Sequence, residues 1–389
     1  MLSHCPYNRP LAVGDVTIYD STLRDGEQMP GVAFSHDDKL EIATLLDDAR
    51  VPEIEAGFAA VSRSEMEAIR DISRLGLDAR TLSLARSRRP DIDCALEAEV
   101  DTVLIFAGTS DIHRRYKYGK EVEVETLQRY AVEAVEHAKD HGLGVSFSCE
   151  DGTRTPLDVL LRMYETVDEL GVDRLGITDT LGCVTMDGIS ELVREVKSRF
   201  ATPVSVHLHN DFGLANANAI SAVAAGADAI TTTVNGMGER CGNVPLEQFV
   251  AAMRFLYGKD LGIDCSKLTP LSRRVAAVSR YQCSVNHPIT GENAFSHESG
   301  IHVAAILNCP ATYEYIEPRE VGNVRHLKMG KHSGAHIIEK RLQDMGLEYS
   351  RSQLNMMLDE VKKKGERMGR VTDEDFARIV ERCLGSKSD

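Results

Sequence analysis

Residues 205–218 read SVHLHNDFGLANAN, and the two histidines in this stretch have the spacing of a metal site. His207 and His209 alternate with apolar residues, and this period of two predicts a buried strand with both imidazoles on one face. A lone histidine at such a position is more often an ordinary core residue. Two on one face, at the end of a strand, favour a divalent cation held by imidazole nitrogens.

A carboxylate able to complete this site follows the first apolar segment of the chain. Arg24 and Asp25 are adjacent in STLRDGEQMPG, directly after VTIYD. Two imidazoles and one carboxylate with open positions suit Zn, Mn, Co or Fe. Arg24 cannot bind a cation, but it can hold an anionic substrate or polarise a carbonyl. A surface ion pair between Arg24 and Asp25 is the ordinary alternative, and it is disfavoured if both residues share an edge with the histidines.

Further polar side chains follow other strand-like segments: Ser146, Ser148, Glu150, Asp151, Asp179, Thr180, Glu239, Arg240 and Asn243. Any one of them could cap a helix, but capping alone does not account for so many. The glycine spacings do not fit a dinucleotide fingerprint or a Walker A loop, and the DFG tripeptide lacks the other kinase motifs.

The elements that must position these groups alternate between strand and helix. Eight strand-like segments, each followed by a helical one, occur within about 245 residues. The predicted strands are 16–20, 53–58, 81–85, 102–108, 144–151, 174–180, 204–210 and 229–236. The predicted helices are 37–50, 62–74, 90–99, 121–141, 156–170, 186–199, 214–226 and 245–257. A doubly wound open sheet is the alternative, but eight such units favour a (β/α)8 TIM barrel of the α/β class, with active residues just after the strand ends.

The alternation stops near residue 285, and we expect three regions. These are a catalytic barrel over 14–285, a linker or subdomain over 286–335, and a helical subdomain over 336–389 with no C-terminal regulatory domain. The middle region is rich in Gly, His, Pro and Asn. A polar stretch of that length without regular structure is unusual unless it is functional. Helices are predicted at 336–346, 350–365 and 372–384.

Composition narrows the cellular setting. The net charge of −15 argues against nucleic acid or an anionic membrane as a main partner. No run of about 18 apolar residues is present to span a membrane, and the N-terminus lacks the apolar region of a signal peptide. The nine cysteines include no CxxC pair, so neither a disulfide framework nor a cysteine zinc site is indicated. We therefore expect a reduced, cytoplasmic protein.

Four motifs together resemble the homocitrate synthase and 2-isopropylmalate synthase family: DSTLRDGEQMPG, HLHNDFGLANANAISAVAAGA, NGMGERCGNVPLE and FSHESGIH. The resemblance extends from about residue 14 to 385 and is strongest to the compact, nitrogen-fixation type of homocitrate synthase. It implies a catalytic TIM barrel, acetyl-CoA as co-substrate, and a divalent metal (Zn, Mn, Mg, Co or Fe). It also implies a homodimer in which each C-terminal segment reaches the partner's barrel.

The resemblance assigns roles to individual residues as well. The implied metal ligands are Asp25, His207, His209 and Asn243. Arg24 matches the residue that polarises the ketone, while Glu150 and Thr180 match substrate-site residues. His302 in SGIH matches the group that assists deprotonation of the acetyl methyl, and Tyr313 matches its companion. Glu150 is expected to take part in the same proton transfer.

The acceptor is predicted to be 2-oxoglutarate, which would make the chain a homocitrate synthase. The lysine-pathway enzymes have an arginine where Ser146 stands and a histidine on strand three, where this chain reads SLAR. Arg86 is therefore our candidate for binding the distal carboxylate, with Ser146 and Ser148 beside it. The missing arginine leaves open 2-oxoisovalerate, pyruvate, oxaloacetate or a phosphonate analogue, and with them 2-isopropylmalate or citramalate synthase.

Two other classes of function are less favoured. A metal-dependent acyl-CoA lyase or aldolase would share the barrel and the paired histidines, but the long C-terminal segment with SGIH and TYE argues against it. A non-catalytic sensor is disfavoured because every candidate metal ligand is present.

Overall fold

A computed structural model describes residues 5–385 and divides the chain into two compact units. One unit comprises residues 8–283, and the other includes residues 284–385. The final predicted region, 336–389, therefore extends beyond residue 385, outside the described residues.

The first unit is built on a closed barrel of eight parallel strands. The strands are β1 (Thr17–Asp20), β2 (Glu53–Gly57), β3 (Arg80–Arg86), β4 (Thr102–Gly108), β5 (Gly144–Glu150), β6 (Arg174–Asp179), β7 (Val204–Leu208) and β8 (Ala229–Thr232). β1 pairs with β2 on one side and with β8 on the other, with Ile18 opposite Ile230. Because the first and last strands pair, the sheet is closed, and the predicted TIM barrel is confirmed over the open alternative.

Helices surround the barrel and bury the apolar outer faces of its strands. They are α1 (His36–Asp48), α2 (Arg63–Ser73), α3 (Arg89–Glu97), α4 (Asp111–Tyr116), α5 (Val124–Asp140), α6 (Leu157–Asp168), α7 (Met186–Arg199), α8 (Ala215–Ala224), α9 (Leu246–Phe255) and α10 (Leu268–Ser279). In α2, the Ser62 side chain accepts from the Glu65 amide and begins the helix, and Ile69 and Ile72 are fully buried. The sequence did not predict α4 or α10, and α4 has no buried residue to mark it.

Side chains fill the barrel, which is a packed core and not a pore. Tyr19, Leu84, Leu104 and Ala229 form a buried cluster inside it. At the N-terminal end, Arg174 donates two hydrogen bonds of 2.7 Å to the carboxylate of Glu53. Glu53 begins β2 and Arg174 begins β6, on the opposite side of the barrel. The ion pair therefore spans the barrel at its N-terminal end.

The second unit contains β9 (Ser296–His297), β10 (His326–Leu327), α11 (Gly300–Asn308), α12 (Ala335–Asp344), α13 (Arg351–Met368) and α14 (Asp373–Gly385). Its core includes Ile338, Leu354 and Val361 from α12 and α13. The expectation that residues 286–335 lack regular structure is wrong at α11 and at the β9–β10 pair. α11 reads GIHVAAILN, with apolar residues on all sides, so it shows no amphipathic period by which it could be predicted.

Candidate active site

One cavity of about 260 Å³ opens at the carboxyl ends of the barrel strands. Its lining combines the following residues: Tyr19, Arg24, Asp25, Gln28, Phe58, Leu84, Leu104, Phe106, Ser148, Glu150, Thr178, Thr180, His207, His209, Glu239 and Arg240. Nine residues singled out from the sequence thus meet here: Arg24, Asp25, Ser148, Glu150, Thr180, His207, His209, Glu239 and Arg240. The cavity is where a TIM barrel carries its active site.

Asp25, His207 and His209 form a compact and buried group of metal-binding side chains. The Nε2 atoms of the two histidines are 3.2 Å apart, and they lie 3.5 Å (His207) and 3.9 Å (His209) from Oδ2 of Asp25. Ligands about 2.1 Å from a common cation are separated by about 3.0–3.4 Å in octahedral or tetrahedral arrangements, as bond lengths to zinc illustrate. The 3.2 Å separation of the histidines falls in this range, and the distances to Asp25 of 3.5 and 3.9 Å are slightly longer. The chemistry of the three donors and their close grouping suit a divalent cation.

Asn243 joins this group from the loop after β8. Its side-chain amide donates at 3.0 Å both to Oδ1 of Asp25 and to the carbonyl of Met237. Its Oδ1 is buried and has no hydrogen-bond partner within residues 5–385, so it is available to a cation. Gly238 has a φ of +147°, and a Cβ there would lie 2.1 Å from the Asn243 Nδ2 and 2.7 Å from the Asp25 Oδ1. Glycine at 238 is thus required for this close approach.

Charge and burial hold the three ligands in the protonation states that metal binding needs. Burial opposes ionisation of Asp25, but Arg24 and the two histidines outweigh it and keep the pKa of its carboxyl below the usual range. Burial lowers the pKa of His207 to about 3, and the adjacent His209 adds to this shift. Burial likewise lowers the pKa of His209. Both imidazoles are therefore neutral near pH 7, as ligands must be.

The Arg24 guanidinium is held between two carboxylates. Its Nε donates to Oε1 of Glu55 at 2.8 Å, and its Nη1 donates to Oδ2 of Asp25 at 2.5 Å. Glu55 is fully buried on β2 and also accepts from the Ser21 hydroxyl. Glu55 was not among the site residues predicted from the sequence, although the alternation in EIEAGF places Glu53 and Glu55 on one strand face.

Glu150, the last residue of β5, faces the cavity and is held from the segment after β4. Lys117 forms an ion pair with its Oε2, and the Nδ1 of His113 is 3.6 Å from the same oxygen. Directly after the next strand, β6, the Thr180 hydroxyl accepts from the Asp151 amide at 2.9 Å. Neither Lys117 nor His113 was predicted from the sequence, because a charged helix end such as that of α4 is usually solvated surface.

Two predicted substrate-binding residues do not line this cavity. The guanidinium of Arg86 donates to Asp91 through Nε at 2.7 Å and through Nη2 at 2.9 Å, and its side chain is 46% exposed. It lies 5.6 Å from the ring centre of Phe58, which does line the cavity. Ser146 is buried within the barrel, and its hydroxyl has no hydrogen-bond partner among the described residues.

Part of the cavity wall is apolar. Phe58, Leu84, Leu104 and Phe106, from three neighbouring strands or the residues just after them, form it. A bound molecule would thus meet both charged groups and hydrocarbon, which is the usual composition of a small-molecule site.

His302 and Tyr313 contact each other in the second unit. Their rings are stacked, with centroids 3.9 Å apart and an angle of 25° between the planes. Next to Tyr313, the buried carboxylate of Glu314 accepts from Arg325 at 2.8 Å and lies 3.2 Å from Nε2 of His297. The imidazole and the phenol thus form a stacked pair beside this group of polar contacts.

Two family models match most of the chain. Residues 15–275 match the model described as HMGL-like, and residues 289–368 match the one described as homocitrate synthase post-HMGL domain-like. The chain belongs to the HMGL-like family.

Individual relatives define its class within that family. The chain is 47% identical to homocitrate synthase AksA of Methanopyrus kandleri, over 96% of this chain and 94% of the relative. It is also 47% identical to a probable 2-isopropylmalate synthase of the same organism, over 90% of this chain and 70% of the relative. These similarities confirm the resemblance seen in the sequence, and they make the chain an acyl-CoA-dependent synthase.

A solved structure supports the fold independently. The hydroxymethylglutaryl-CoA lyase of Pseudomonas aeruginosa superposes with a TM-score of 0.61 at 20% identity, over 71% of this chain and 96% of the lyase. This likeness confirms the barrel. Among residues 5–385, no helix is long and apolar enough to cross a membrane.

Proposed function

We propose that the chain is a homocitrate synthase, which condenses acetyl-CoA with 2-oxoglutarate and water to give homocitrate and CoA. The observation that carries this proposal is the buried Asp25–His207–His209 group beside the Arg24 guanidinium in one cavity. Three relatives at 42–47% identity over nearly the whole chain are named homocitrate synthases, which supports this acceptor. Relatives of similar identity over 95% of this chain are named 2-isopropylmalate or citramalate synthase, so they support the alternatives to the same degree.

Asp25, His207, His209 and Asn243 would hold the divalent cation. When bound, such a cation supplies a Lewis acid for the keto and carboxylate oxygens of a 2-oxo acid. Arg24 lies next to Asp25 and carries a permanent charge, so it stabilises the negative charge that grows on the keto oxygen during attack. The Glu55 carboxylate orients Arg24 for this role.

In this proposal, polar side chains at the ends of the strands position the 2-oxo acid acceptor. The Thr180 hydroxyl accepts from a backbone amide, so its own proton remains free to donate to a substrate oxygen. Ser148 lines the cavity beside it. Together they orient the acceptor so that one face of its keto carbon meets the acetyl group.

The nucleophile forms by removal of a proton from the acetyl methyl. Glu150 on the cavity wall and the His302–Tyr313 pair are the groups we assign to this transfer. In our proposal the chain is a homodimer in which His302 and Tyr313 act in the partner's barrel. Water then hydrolyses the thioester of the condensation product, and this step makes the reaction irreversible.

Arg86 is our candidate for the distal carboxylate of 2-oxoglutarate. Its pair with Asp91 uses Nε and Nη2, so Nη1 can still donate to a substrate. Its stack over Phe58 places the charge next to the apolar wall of the cavity. A two-carbon spacer along that wall would lead from the keto group toward Arg86.

A second acceptor has an observation in its favour. The apolar wall of Phe58, Leu84, Leu104 and Phe106 also suits the branched side chain of 2-oxoisovalerate, which would make the chain a 2-isopropylmalate synthase. By the same reasoning, pyruvate would leave part of this wall uncovered.

The test is a panel of 2-oxo acids with acetyl-CoA, with release of the free thiol of CoA as the readout. We expect the highest kcat/KM with 2-oxoglutarate, and homocitrate as the product by mass spectrometry. A preference for 2-oxoisovalerate would move the chain to the 2-isopropylmalate branch. Cleavage of an acyl-CoA without any condensation would instead indicate a lyase.

A further inference from the structure

The segment after β4 holds a basic residue against the Glu150 carboxylate. Lys117, just past α4, forms an ion pair with Oε2 of Glu150, and its Nζ lies 5.2 Å from the ring centre of Phe106. His113, within α4, places Nδ1 at 3.6 Å from the same oxygen and Nε2 at 3.8 Å from Oδ2 of Asp151. The carboxylate thus faces the cavity on one side and two basic groups on the other.

The backbone fixes this arrangement closely. A Cβ on Gly108 would lie 2.9 Å from the His113 Nδ1 and 3.2 Å from the Glu150 Oε2, so only glycine leaves room for both side chains. The Tyr118 hydroxyl accepts from the Gly108 amide at 2.8 Å and so fastens the end of the segment to the end of β4. At the other end, the Ser110 hydroxyl caps α4 through the His113 amide.

The charges around Glu150 come from several elements. Lys117, His113 and Tyr118 belong to the segment after β4, and Asp151 follows Glu150 directly. The ionisable groups that share the cavity lining are Tyr19, Arg24, Asp25, His207, His209, Glu239 and Arg240. Burial raises the pKa of Glu150, but His113 and Lys117 outweigh it, so the pKa lies below the usual range for a glutamate.

We propose that Lys117 is a positioning residue, which keeps the Glu150 carboxylate ionised and aimed into the cavity for proton transfer. The proposal rests on the proposed function, because it assumes that Glu150 acts in the condensation. Lys117 itself does not line the cavity, so it acts through Glu150 and not on the substrate. Without its charge, less would offset the effect of burial, and Glu150 would hold its proton at higher pH.

The test replaces Lys117 by Met, which keeps the aliphatic chain but removes the charge. In Lys117→Met we expect the acid limb of the kcat/KM profile to move up by about one pH unit. Activity should fall on the acid limb, and it should recover substantially at neutral and alkaline pH. Lys117→Arg should restore the wild-type profile, and Lys120→Met, at an exposed lysine three residues away, should leave the profile unchanged.

A second readout does not depend on turnover. In protein carrying ¹³C-carboxyl glutamate, the Glu150 resonance is identified by its absence in Glu150→Gln. The midpoint of the pH titration of this resonance should rise in Lys117→Met. This holds even if the wild-type protein condenses none of the 2-oxo acids, so failure of the proposed function can be distinguished from failure of this inference.

Two outcomes would overturn the proposal. One is an equal loss of activity at every pH with an unmoved Glu150 midpoint, which would make Lys117 purely structural. The other is an increase in KM for one substrate with an unchanged acid limb, which would make Lys117 a direct substrate contact.

Discussion

Glu55 accepts a 2.8 Å hydrogen bond from the Nε of Arg24, and no part of the Glu55 side chain is exposed. Arg24 also donates to Asp25, so its guanidinium is oriented by β2 and by the turn after β1 together. The guanidinium charge, which we assign to stabilising the keto oxygen, is therefore held in place before any substrate binds. Electrostatic stabilisation of a transition state depends on such preorganisation.

Replacing Glu55 by Gln should reduce catalysis more than it reduces binding. A charge-assisted hydrogen bond contributes about 1.5–3 kcal/mol, so kcat/KM should fall roughly 10- to 150-fold. The KM for acetyl-CoA should change little. Steady-state kinetics measures both, with Glu67→Gln as the control, because Glu67 pairs with Arg63 at an exposed position. A fall no larger than in the control would remove Glu55 from the machinery that orients Arg24.

Replacing His209 by Ala should abolish metal retention and turnover together. His209 provides one of the three ligand atoms in the buried group, and its loss should weaken metal affinity by more than about 100-fold. Elemental analysis of the purified protein and a competing chelator dye measure the affinity directly. His141→Ala, at an exposed histidine, is the control. Full activity in a metal-free His209→Ala protein would contradict the ligand assignment.

Asp20 should make stability depend on pH. Burial raises the pKa of this carboxyl to about 7 in the folded chain, from 3.8. A raised pKa favours the protonated native form, so its stabilising contribution is complete below about pH 4 and is lost as the pH rises toward 7.

Asp20→Asn has no such titration, and an Asn oxygen can still accept from the Thr22 amide. The free energy of unfolding of Asp20→Asn, taken relative to that of the wild type, should therefore increase between pH 4 and pH 7 by on the order of 4 kcal/mol at most. Urea unfolding at several pH values measures this difference, with the exposed Asp15→Asn as the control. A difference that is constant with pH would mean that Asp20 is ionised throughout.

Mixing two inactive variants should restore activity if each site combines two chains. Arg24→Ala lacks a barrel residue, and His302→Ala lacks a residue of the second unit. In a heterodimer of the two, one site receives both intact residues, so random exchange should yield about a quarter of the wild-type activity. Native mass spectrometry establishes that heterodimers form. If they form and stay inactive, each site is built from a single chain.

Arg86→Ala should separate acceptors with a distal carboxylate from those without one. We expect kcat/KM for 2-oxoglutarate to fall roughly 10- to 150-fold, and that for pyruvate to change little. Arg89→Ala, at the exposed start of α3, is the control. An equal loss with both acceptors would show that Arg86 acts through its pair with Asp91, by holding α3.

The fold could be predicted because each strand carries a local signal. β4 was predicted at its observed bounds, since the apolar run TVLIFAG ends at a glycine. The meeting of Asp25 with His207 and His209 followed from the rule that barrel strands end at one rim. These inferences need only the order of the elements.

Side-chain pairing could not be predicted in the same way. Arg86 stands at the end of β3 as expected, but Asp91, five residues later in the first turn of α3, engages its guanidinium. Whether an arginine binds a neighbouring carboxylate or a substrate depends on distances between side chains, and the periodicity of a sequence does not determine those distances. The same holds for Glu55 and Lys117, whose partners are 31 and 33 residues away.

Barrel closure also determines at what point during synthesis of the chain the site can form. Asp25 and Asn243 contact each other although 218 residues separate them. A ribosome adds about 5–20 residues per second, so roughly 10–45 s pass between the synthesis of the first ligand and that of the last. During that interval the nascent chain cannot offer the full set of donors, and a cation cannot be captured in its final geometry. Binding of the proposed cation therefore has to follow the synthesis of Asn243, and a barrel that fails to join β1 to β8 would lack the complete set of donors.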